Sequence, residues 1–391
     1  MGVWDELTGQ QSAIATFQAA VAGDPHGGGR GAASDGSMTH SWLITGPPGS
    51  GRSNLAFAFA TALLSPGDPE GDVATQRQVD ARTHPDLAVL STERVIITID
   101  EVRSLVKSSQ FAPSISRYRV MVIEDADRMV ERTSNLLLKA LEEPPERTVW
   151  ILCAPSEADL LPTVRSRVRT VRLTVPSIDD VAELIRKRDG VDGAVAERAA
   201  REAQSHIGMA HRLATNAQAR ARREETLRLA LGIRDVSDAV MAAARMLEIA
   251  GADAKSITEE RDAEERADAL RALGVAPGGT LPPALRGQIR ALEEDQKRRA
   301  TRSLRDGIDR ILVDLLSLYR DVIMLQLGSG SALVNRELAD EMRALGEHTT
   351  AAATITVMDA IGTARERIGG NVQPALALEA MLVATLRKGR A

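Results

Sequence analysis

A glycine-rich segment between an apolar run and a helical pattern constrains the fold of this chain more than any other stretch. Residues 42–45 favour a buried strand, residues 46–51 interrupt it with glycine and proline, and a helical pattern begins at Ser53. Strand, glycine loop and helix in this order are the context that a phosphate-binding loop requires. Loop amides converge on an anion there, and the dipole of the following helix adds positive potential.

This loop fits the pattern G-x-x-x-x-G-K-[ST] except at one position, where Arg52 replaces the lysine. Lysine offers a compact ammonium to the β- and γ-phosphates, whereas arginine is longer, planar and forked, so the exchange is not conservative. Two interpretations stay open. The loop binds ATP or ADP with Mg²⁺ through Gly46, Gly49, Gly51, Arg52 and Ser53, with poor hydrolysis, or it is kept only for its shape.

A second apolar run, residues 118–123, ends in the acidic pair Glu124 and Asp125. An apolar strand that delivers carboxylates at its end is how a phosphate-loop protein reaches Mg²⁺ and the attacking water. An Asp-Glu order would be the active form. Here the order is Glu-Asp, so the shorter Asp125 carboxylate lies about one methylene farther from the water. The alternative is an acidic helix cap after a core strand.

Secondary-structure patterns divide the chain into an α/β part and a helical part. Strands alternate with helices over residues 40–175, which predicts an α/β domain with a mostly parallel sheet. Strand patterns fade after residue 176, so we expect a small helical lid and then an all-helical C-terminal domain. The expected domains are residues 1–175, 176–220 and 221–391, the last with a charged insert at about 251–305.

The individual elements follow from apolar periodicity and from breaks at glycine, proline and polar runs. The predicted strands span residues 42–45, 86–90, 118–123, 148–153 and 170–173. The predicted helices of the first half span residues 1–22 after an entry segment, 53–64, 99–109, 131–141, 178–189, 193–205 and a third lid helix opened by Gly208. The predicted loops are residues 23–40 and 65–83.

The sequence supports two specific predictions for the C-terminal half, one for its charge runs and one for Asn371. Residues 263–271 and 284–305 carry dense charge of both signs around a predicted turn at 274–283. We interpret them as a solvated face or an antiparallel helical hairpin in preference to a nucleic-acid surface. Asn371 is expected to cap the last helix.

Composition excludes several classes of protein. The chain has 391 residues, 43% of them hydrophobic, which suits two or three domains with real cores. No apolar run approaches the ~20 residues of a membrane span, and no apolar signal core begins the chain, so a cytoplasmic location is expected. A single cysteine, Cys153, excludes an internal disulfide and a cysteine-cluster zinc site. A net charge of −5 and 2% aromatics disfavour coating of nucleic acid by bulk charge or base stacking.

Together these motifs resemble one family. Residues 38–173 resemble the AAA+ module of bacterial clamp-loader subunits, most closely the delta-prime group of DNA polymerase III. The segments that carry the resemblance are residues 46–53, 99–103, 122–127, 135–145 and 161–167. The combination of L-L-K-A-L-E-E-P-P with L-P-T-x-R-S-R makes it specific, and residues 371–379 look like the end of the collar domain of this family.

Several positions depart from the family pattern. No cysteine lies in residues 65–82, where members usually carry a four-cysteine zinc module, so we expect no zinc. Ala154 stands where a polar residue is expected after a strand, and His211, three residues after Gly208, stands where motor subunits place an arginine.

The resemblance implies a subunit that does not drive the ATP cycle itself. Arg52, Asp125, Ala154 and His211 all disfavour hydrolysis in cis, whereas Arg167 keeps the arginine finger that acts in trans on ATP of a neighbouring subunit. The alternative for Arg167 and its neighbour Arg165 is a pair of surface salt bridges.

The implied partners are the gamma/tau and delta subunits of the clamp loader, the sliding clamp and, through the complex, primed DNA, with no membrane involved. Two other functions stay open at this point. The chain could be an ATP-hydrolysing motor of the gamma/tau type with arginine in place of lysine, or a DNA-repair AAA+ ATPase without a clamp partner.

Overall fold

The computed structural model describes residues 3–4, 7–23, 38–47, 49–65, 71–92, 96–272 and 286–386. The chain forms two compact units, Met1–Thr215 and Asn216–Ala391. The core of the predicted loop at 23–40 and the predicted turn at 274–283 lie outside the described residues. Division into three domains stays a prediction, and one helix, Ala217–Leu231, runs across the expected boundary at residue 220.

A parallel sheet of five strands forms the centre of the first unit and confirms the predicted α/β class. The strands are β1 (Ser41–Thr45), β2 (Leu87–Leu90), β3 (Arg119–Ile123), β4 (Thr148–Ala154) and β5 (Arg169–Arg172). Their order across the sheet is β2-β3-β4-β1-β5, and every pairing is parallel. β1 therefore lies between β4 and β5, so the glycine loop that follows β1 starts from a strand with a neighbour on each side.

Apolar strands and helices bury each other on both faces of this sheet. On one face the indole of Trp42 packs against Phe17 and Phe59, with ring centroids 5.0 and 5.5 Å apart. On the other face Trp150 is fully buried in a cluster with Leu43. Buried apolar area of this kind contributes roughly 25 cal/mol per Å², which stabilises the sheet that carries the loops at its edges.

The helices of the first unit follow the predicted pattern with two exceptions, the short helices Val73–Asp80 and Pro162–Arg165. They are α1 (Gln11–Ala22), α2 (Arg52–Leu64), α3 (Val73–Asp80), α4 (Ile99–Ser109), α5 (Glu131–Glu142), α6 (Pro162–Arg165), α7 (Ile178–Asp189), α8 (Gly193–Glu202) and α9 (Ile207–Thr215). Helix α3 corrects the prediction of a loop at residues 65–83. Asp72 caps it by accepting a hydrogen bond of 2.9 Å from the Thr75 amide.

The second unit is helical throughout its described part, apart from short connections. Its helices are α10 (Ala217–Leu231), α11 (Val236–Ala272), α12 (Arg286–Gln326), α13 (Ala339–Glu347), α14 (Ala351–Gly369) and α15 (Pro374–Leu386). Among the described residues no helix has an apolar stretch long enough to cross a membrane.

The described parts of the charged insert, residues 251–272 and 286–305, belong to two long helices, α11 and α12. The Gln296 side chain on α12 donates a 2.9 Å hydrogen bond to the backbone oxygen of Asp262 on α11. Nearer the core, a side chain at Gly307 would meet the backbone oxygen of Ala250 at 3.3 Å, so the helices approach closely there. This agrees with the interpretation of the charge runs as paired helices.

Asn371 does not cap the last helix as expected. Its φ of +71° is left-handed, and the Val372 amide donates a hydrogen bond of 2.9 Å to the backbone oxygen of Arg367. These are the features of a helix C-terminus, because a left-handed residue there lets the next amide satisfy a free carbonyl. Asn371 therefore ends α14, and its side-chain oxygen accepts a hydrogen bond from Arg305.

Candidate functional site

The two edges of the sheet carry different candidate groups. Gly46 follows β1, and the acidic pair, Glu124 and Asp125, follows β3, so both lie at the carboxyl edge. Arg167 lies two residues before β5, at the amino edge. β5 has 4 residues, and four residues of strand span roughly 13 Å. The chain therefore presents the phosphate loop at one edge and the candidate arginine finger at the other.

The cation of the phosphate loop is engaged within the loop. Nη1 of Arg52 donates a hydrogen bond of 2.7 Å to the carbonyl oxygen of Gly46. Arg52 is the first residue of α2, and Gly46 is the first residue of the loop, so this bond joins the two ends of the loop. The phosphate contact expected for Arg52 stays a prediction, and a nucleotide would have to compete with this bond for the guanidinium.

Glycines give the loop its shape. Gly49 and Gly51 have φ angles of +79° and +90°, which residues with a side chain adopt only with strain. A side chain at Gly46 would come within 2.7 Å of the Ser50 hydroxyl. That hydroxyl is buried and has no hydrogen-bond partner within the described structure. Ser53 lies in the first turn of α2, next to Arg52.

The acidic residues at the end of β3 are also engaged by local partners. Oε1 of Glu124 lies 2.5 Å from Nη2 of Arg82, and Oδ2 of Asp125 lies 3.6 Å from Nε of Arg128. Asp125 precedes a short 3₁₀ turn, but its side chain makes no capping hydrogen bond, which removes support for the cap interpretation. Arg82 was not among the predicted site residues.

Asp127 follows the acidic pair and has an unusual environment. Its Oδ1 atom is buried with no hydrogen-bond partner in the described part of the chain. Burial raises the pKa of the Asp127 carboxyl above its ordinary value, and the charge of Asp125 adds to the rise. The carboxylates of Asp125 and Asp127 therefore lie close enough to interact, and that of Asp127 is partly desolvated.

The end of β4 offers no polar group to the site. Ala154 is fully buried, and so is the neighbouring Cys153. Burial raises the pKa of the Cys153 thiol well above its ordinary range, which keeps the thiol neutral and unreactive. The position at which the family pattern places a polar residue therefore contributes packing only.

The lid histidine His211 faces another lid helix. Nδ1 of His211 lies 2.7 Å from Oδ2 of Asp189, the last residue of α7. Burial opposes ionisation of Asp189, but the hydrogen bonds from Arg188 and His211 outweigh it and lower the pKa of this carboxyl. His211 thus connects α9 to the end of α7.

A different lid residue, His206, contacts the loop, and sequence reasoning missed it. A side chain at Gly49 would lie 2.3–2.4 Å from three ring atoms of His206, and the Ile207 amide donates to the Gly49 oxygen at 3.4 Å. The sequence signal that was available is its position, two residues before Gly208, in the turn that opens α9.

Arg167 is held by three acceptors at the amino edge. Nε donates to Oε1 of Glu142 at 2.6 Å, and Nη1 donates to the Thr163 oxygen at 2.7 Å and to the Ser166 hydroxyl at 3.0 Å. One third of the Arg167 side chain is exposed. Glu142 belongs to the L-E-E-P-P segment, so two of the family motifs meet in this ion pair.

The segment Thr-His-Pro-Asp, residues 83–86, has a structural role. The carboxylate of Asp86 is fully buried and accepts backbone hydrogen bonds from Ser114, Ile115 and Ser116 at 2.5, 2.8 and 2.8 Å. These amides outweigh the effect of burial and lower the pKa of Asp86. Across the described residues, no group of three or more His, Cys, Asp and Glu side chains could hold a metal ion.

Comparison with known proteins finds a matching family and relatives for part of the chain. Residues 30–177 match the family described as "DNA polymerase III, delta subunit". DNA polymerase III subunit delta' of Pseudomonas aeruginosa is 35% identical over 134 residues, which cover 33% of this chain and 41% of that protein. Subunit delta' of Escherichia coli is 32% identical over 35% of this chain and 43% of that protein. Subunit gamma/tau of Mycobacterium tuberculosis is 30% identical over 34% of this chain and 24% of that protein.

Among solved structures, a DNA polymerase III gamma subunit-related protein from Thermotoga maritima covers 90% of this chain and 95% of its own length, with 15% identity and a TM-score of 0.42. The sequence matches span less than half the length of the curated relatives named here. The predicted resemblance is confirmed for the matched module. Residues 30–177 of this chain thus match the DNA polymerase III delta family, and this part of the chain is similar to subunits delta' and gamma/tau.

Proposed function

We propose that this chain is the delta-prime subunit of a DNA polymerase III clamp loader. It has little or no ATPase activity of its own, and it supplies Arg167 in trans to the ATP of a neighbouring gamma/tau-type subunit. Together with that subunit, a delta subunit and the sliding clamp, it helps to load the clamp on primed DNA. The observation that carries the proposal is that the phosphate loop lies at the carboxyl edge of the sheet, whereas Arg167 lies at the amino edge.

Two engaged groups support poor hydrolysis in cis. The Arg52 guanidinium donates to the loop carbonyl of Gly46, and Glu124 pairs with Arg82. Phosphoryl transfer depends almost entirely on positioning and on electrostatic stabilisation of the phosphate oxygens. Arg52 must break its bond to Gly46, and Glu124 its pair with Arg82, before either side chain can act on a nucleotide. ATP or ADP with Mg²⁺ is therefore expected to bind weakly, if the loop binds it at all.

A trans role for Arg167 is supported by its position and by the low cost of releasing it. It lies at the edge of the sheet opposite its own loop, so it is remote from its own nucleotide site. Its ion pair with Glu142 is partly exposed, and such pairs contribute about 0–1 kcal/mol. A neighbour's γ-phosphate offers a planar guanidinium two parallel charge-assisted hydrogen bonds, which would replace those to Glu142, Thr163 and Ser166.

A second function has support from one comparison. The gamma/tau subunit of Mycobacterium tuberculosis matches the module at 30% identity, so an ATP-hydrolysing motor is the competing proposal. Co-purification with a gamma/tau-type subunit, followed by ATPase assays with and without clamp and primed DNA, distinguishes the two. The proposal predicts a stable complex whose hydrolysis depends on the partner's own phosphate-loop lysine. Hydrolysis that persists when that partner lysine is replaced would establish the motor instead.

A further inference from the structure

The lid and the phosphate loop meet at His206 and Gly49. The imidazole of His206 covers Gly49 so closely that a Cβ atom at this position would lie 2.3 Å from Cγ, 2.4 Å from Cδ2 and 2.4 Å from Nδ1. The three ring atoms are nearly equidistant, so the ring presents its face to the loop. The space that glycine leaves open beside the backbone is filled by the ring.

The ring is fixed in place by the start of α9. The Met209 amide donates to Nδ1 of His206 at 3.2 Å, and the Ala210 amide donates to the His206 backbone oxygen at 2.9 Å. These are the bonds of a residue that caps a helix N-terminus. Movement of the imidazole therefore requires loss of the cap or displacement of α9 as a whole.

A second bond joins the same elements, because the Ile207 amide donates to the Gly49 oxygen at 3.4 Å. In phosphate loops, glycine lets the backbone approach a phosphate closely. The same open side of the loop is taken here by a lid residue. A nucleotide phosphate that approaches the loop at Gly49 and the His206 ring consequently compete for one surface.

We propose that His206 is a latch that holds the lid against the phosphate loop at Gly49, so that binding of a nucleoside di- or triphosphate requires α9 to move away. Through this contact, binding of a nucleotide to the loop changes the position of the lid helix α9. The proposal rests on the proposed function only in treating residues 46–53 as a nucleotide loop, and it assigns the regulation of that loop to a named contact.

The chain offers matched variants for the contact itself. Gly49 and Gly51 both have left-handed φ angles, but a side chain at Gly51 would meet nothing within 4 Å. Gly51→Ala therefore introduces backbone strain alone, whereas Gly49→Ala adds a clash with His206. His206→Asn removes the ring and keeps a side chain that caps helices well.

Thermal unfolding of the full chain measures this contact. We expect Gly49→Ala to lower the midpoint more than Gly51→Ala does. Addition of His206→Asn should recover part of the loss in Gly49→Ala and none of the loss in Gly51→Ala, since only the first pair is in contact. Equal losses for the two alanine variants, with no recovery, would overturn the contact.

Titration with fluorescent Mg·ADP measures the competition. We expect His206→Asn to bind about fivefold tighter than the wild type or better, which is within the usual range of coupling between sites. His211→Asn is the control, because this residue lies on the same helix and faces Asp189. Equal or weaker affinity in His206→Asn, or no detectable binding by either protein, would overturn the latch. Neither assay uses the reconstituted complex, so failure here is separate from failure of the clamp-loader proposal.

Discussion

Arg167 and Glu142 form an ion pair at the amino edge of the sheet, with Nε of Arg167 2.6 Å from Oε1 of Glu142. The pair joins the end of α5 to the turn that precedes β5. Because nearly half of the Glu142 side chain is exposed, water screens the interaction and the arginine is released at small cost. The ion pair therefore holds the Arg167 guanidinium in place but costs little to break.

Glu142→Gln tests whether the pair only positions the arginine. The substitution removes the charge and keeps the shape, so the free energy of unfolding should fall by at most about 1 kcal/mol. In a reconstituted complex the ATPase rate should equal or exceed the wild-type rate, since Arg167 becomes easier to release. Denaturant titration and steady-state ATPase assays check these points, and a rate reduced as far as that of an Arg167 variant would contradict them.

The isolated chain should show negligible ATP turnover. Both the loop cation Arg52 and the carboxylate Glu124 are held by local partners, and Asp125 is short for its expected task. Arg52→Lys should not restore hydrolysis, because the acidic pair is unchanged. A phosphate-release assay on pure, monodisperse protein measures this. Robust turnover that disappears in Asp125→Ala would show that the site is active.

Asp86 is expected to be essential for stability. Asp86→Asn removes the buried charge and replaces one of the two acceptor oxygens with an amino group that cannot accept from the backbone amides, so the free energy of unfolding should fall by about 3 kcal/mol. Asp100→Asn is the control, since its carboxylate is 90% exposed and pairs only with Arg103 among the contacts described. Its effect should stay below about 1 kcal/mol.

The effect of Asp86 should depend on pH in one direction. Its pKa in the folded chain lies below the ordinary value of 3.8, so its stabilisation is fully present above pH 3.8 and is lost as the pH falls through the folded-state value. The difference in unfolding free energy between wild type and Asp86→Asn should therefore shrink on acidification below pH 3.8. A difference that grows in acid would contradict the assignment.

Zinc should be absent from the purified chain. Residues 65–82 contain no cysteine, and His84 is buried with its Nδ1 accepting a hydrogen bond from the Asp86 amide. Elemental analysis after dialysis against a chelator should find far less than one zinc per chain. Stoichiometric zinc that survives the dialysis would contradict this prediction.

Much of the fold follows from local patterns in the sequence. The helix Ile99–Ser109 matches its predicted bounds because Thr98 and Glu101 form a capping box at its start. Helix α3 was missed because its residues are mostly polar, with Val79 as its main buried apolar contact. Asn371 was assigned to the wrong helix end, since asparagine suits both a cap and a left-handed turn.

The candidate site was predictable in outline only. The loop and the acidic pair each follow a predicted strand, and Arg167 precedes one, so the order of strands and loops already assigns them to opposite edges of the sheet. The partners of these residues could not be predicted in the same way. Arg82 and Glu124 are 42 residues apart in the chain, and His206 reaches Gly49 from the lid. Such pairs depend on tertiary packing, which a single sequence does not display.

The central claim is that Arg167 acts on a neighbour's ATP. Arg167→Ala should leave folding and complex assembly intact, whereas the ATPase and clamp-loading rates of the reconstituted complex should fall by about 10³-fold or more. Arg167→Lys should rescue little, because an ammonium cannot reproduce the planar fork. Arg172→Ala is the matched control, since Arg172 also forms a surface ion pair, with Glu157, at the other end of β5.

The most direct measurement is the ATPase rate of the reconstituted complex with clamp and primed DNA, compared among wild type, Arg167→Ala and Arg172→Ala. The account predicts a severe loss in Arg167→Ala alone, with normal assembly in all three. Wild-type hydrolysis and clamp loading by the Arg167→Ala complex would contradict it and would leave this arginine as part of a surface salt bridge.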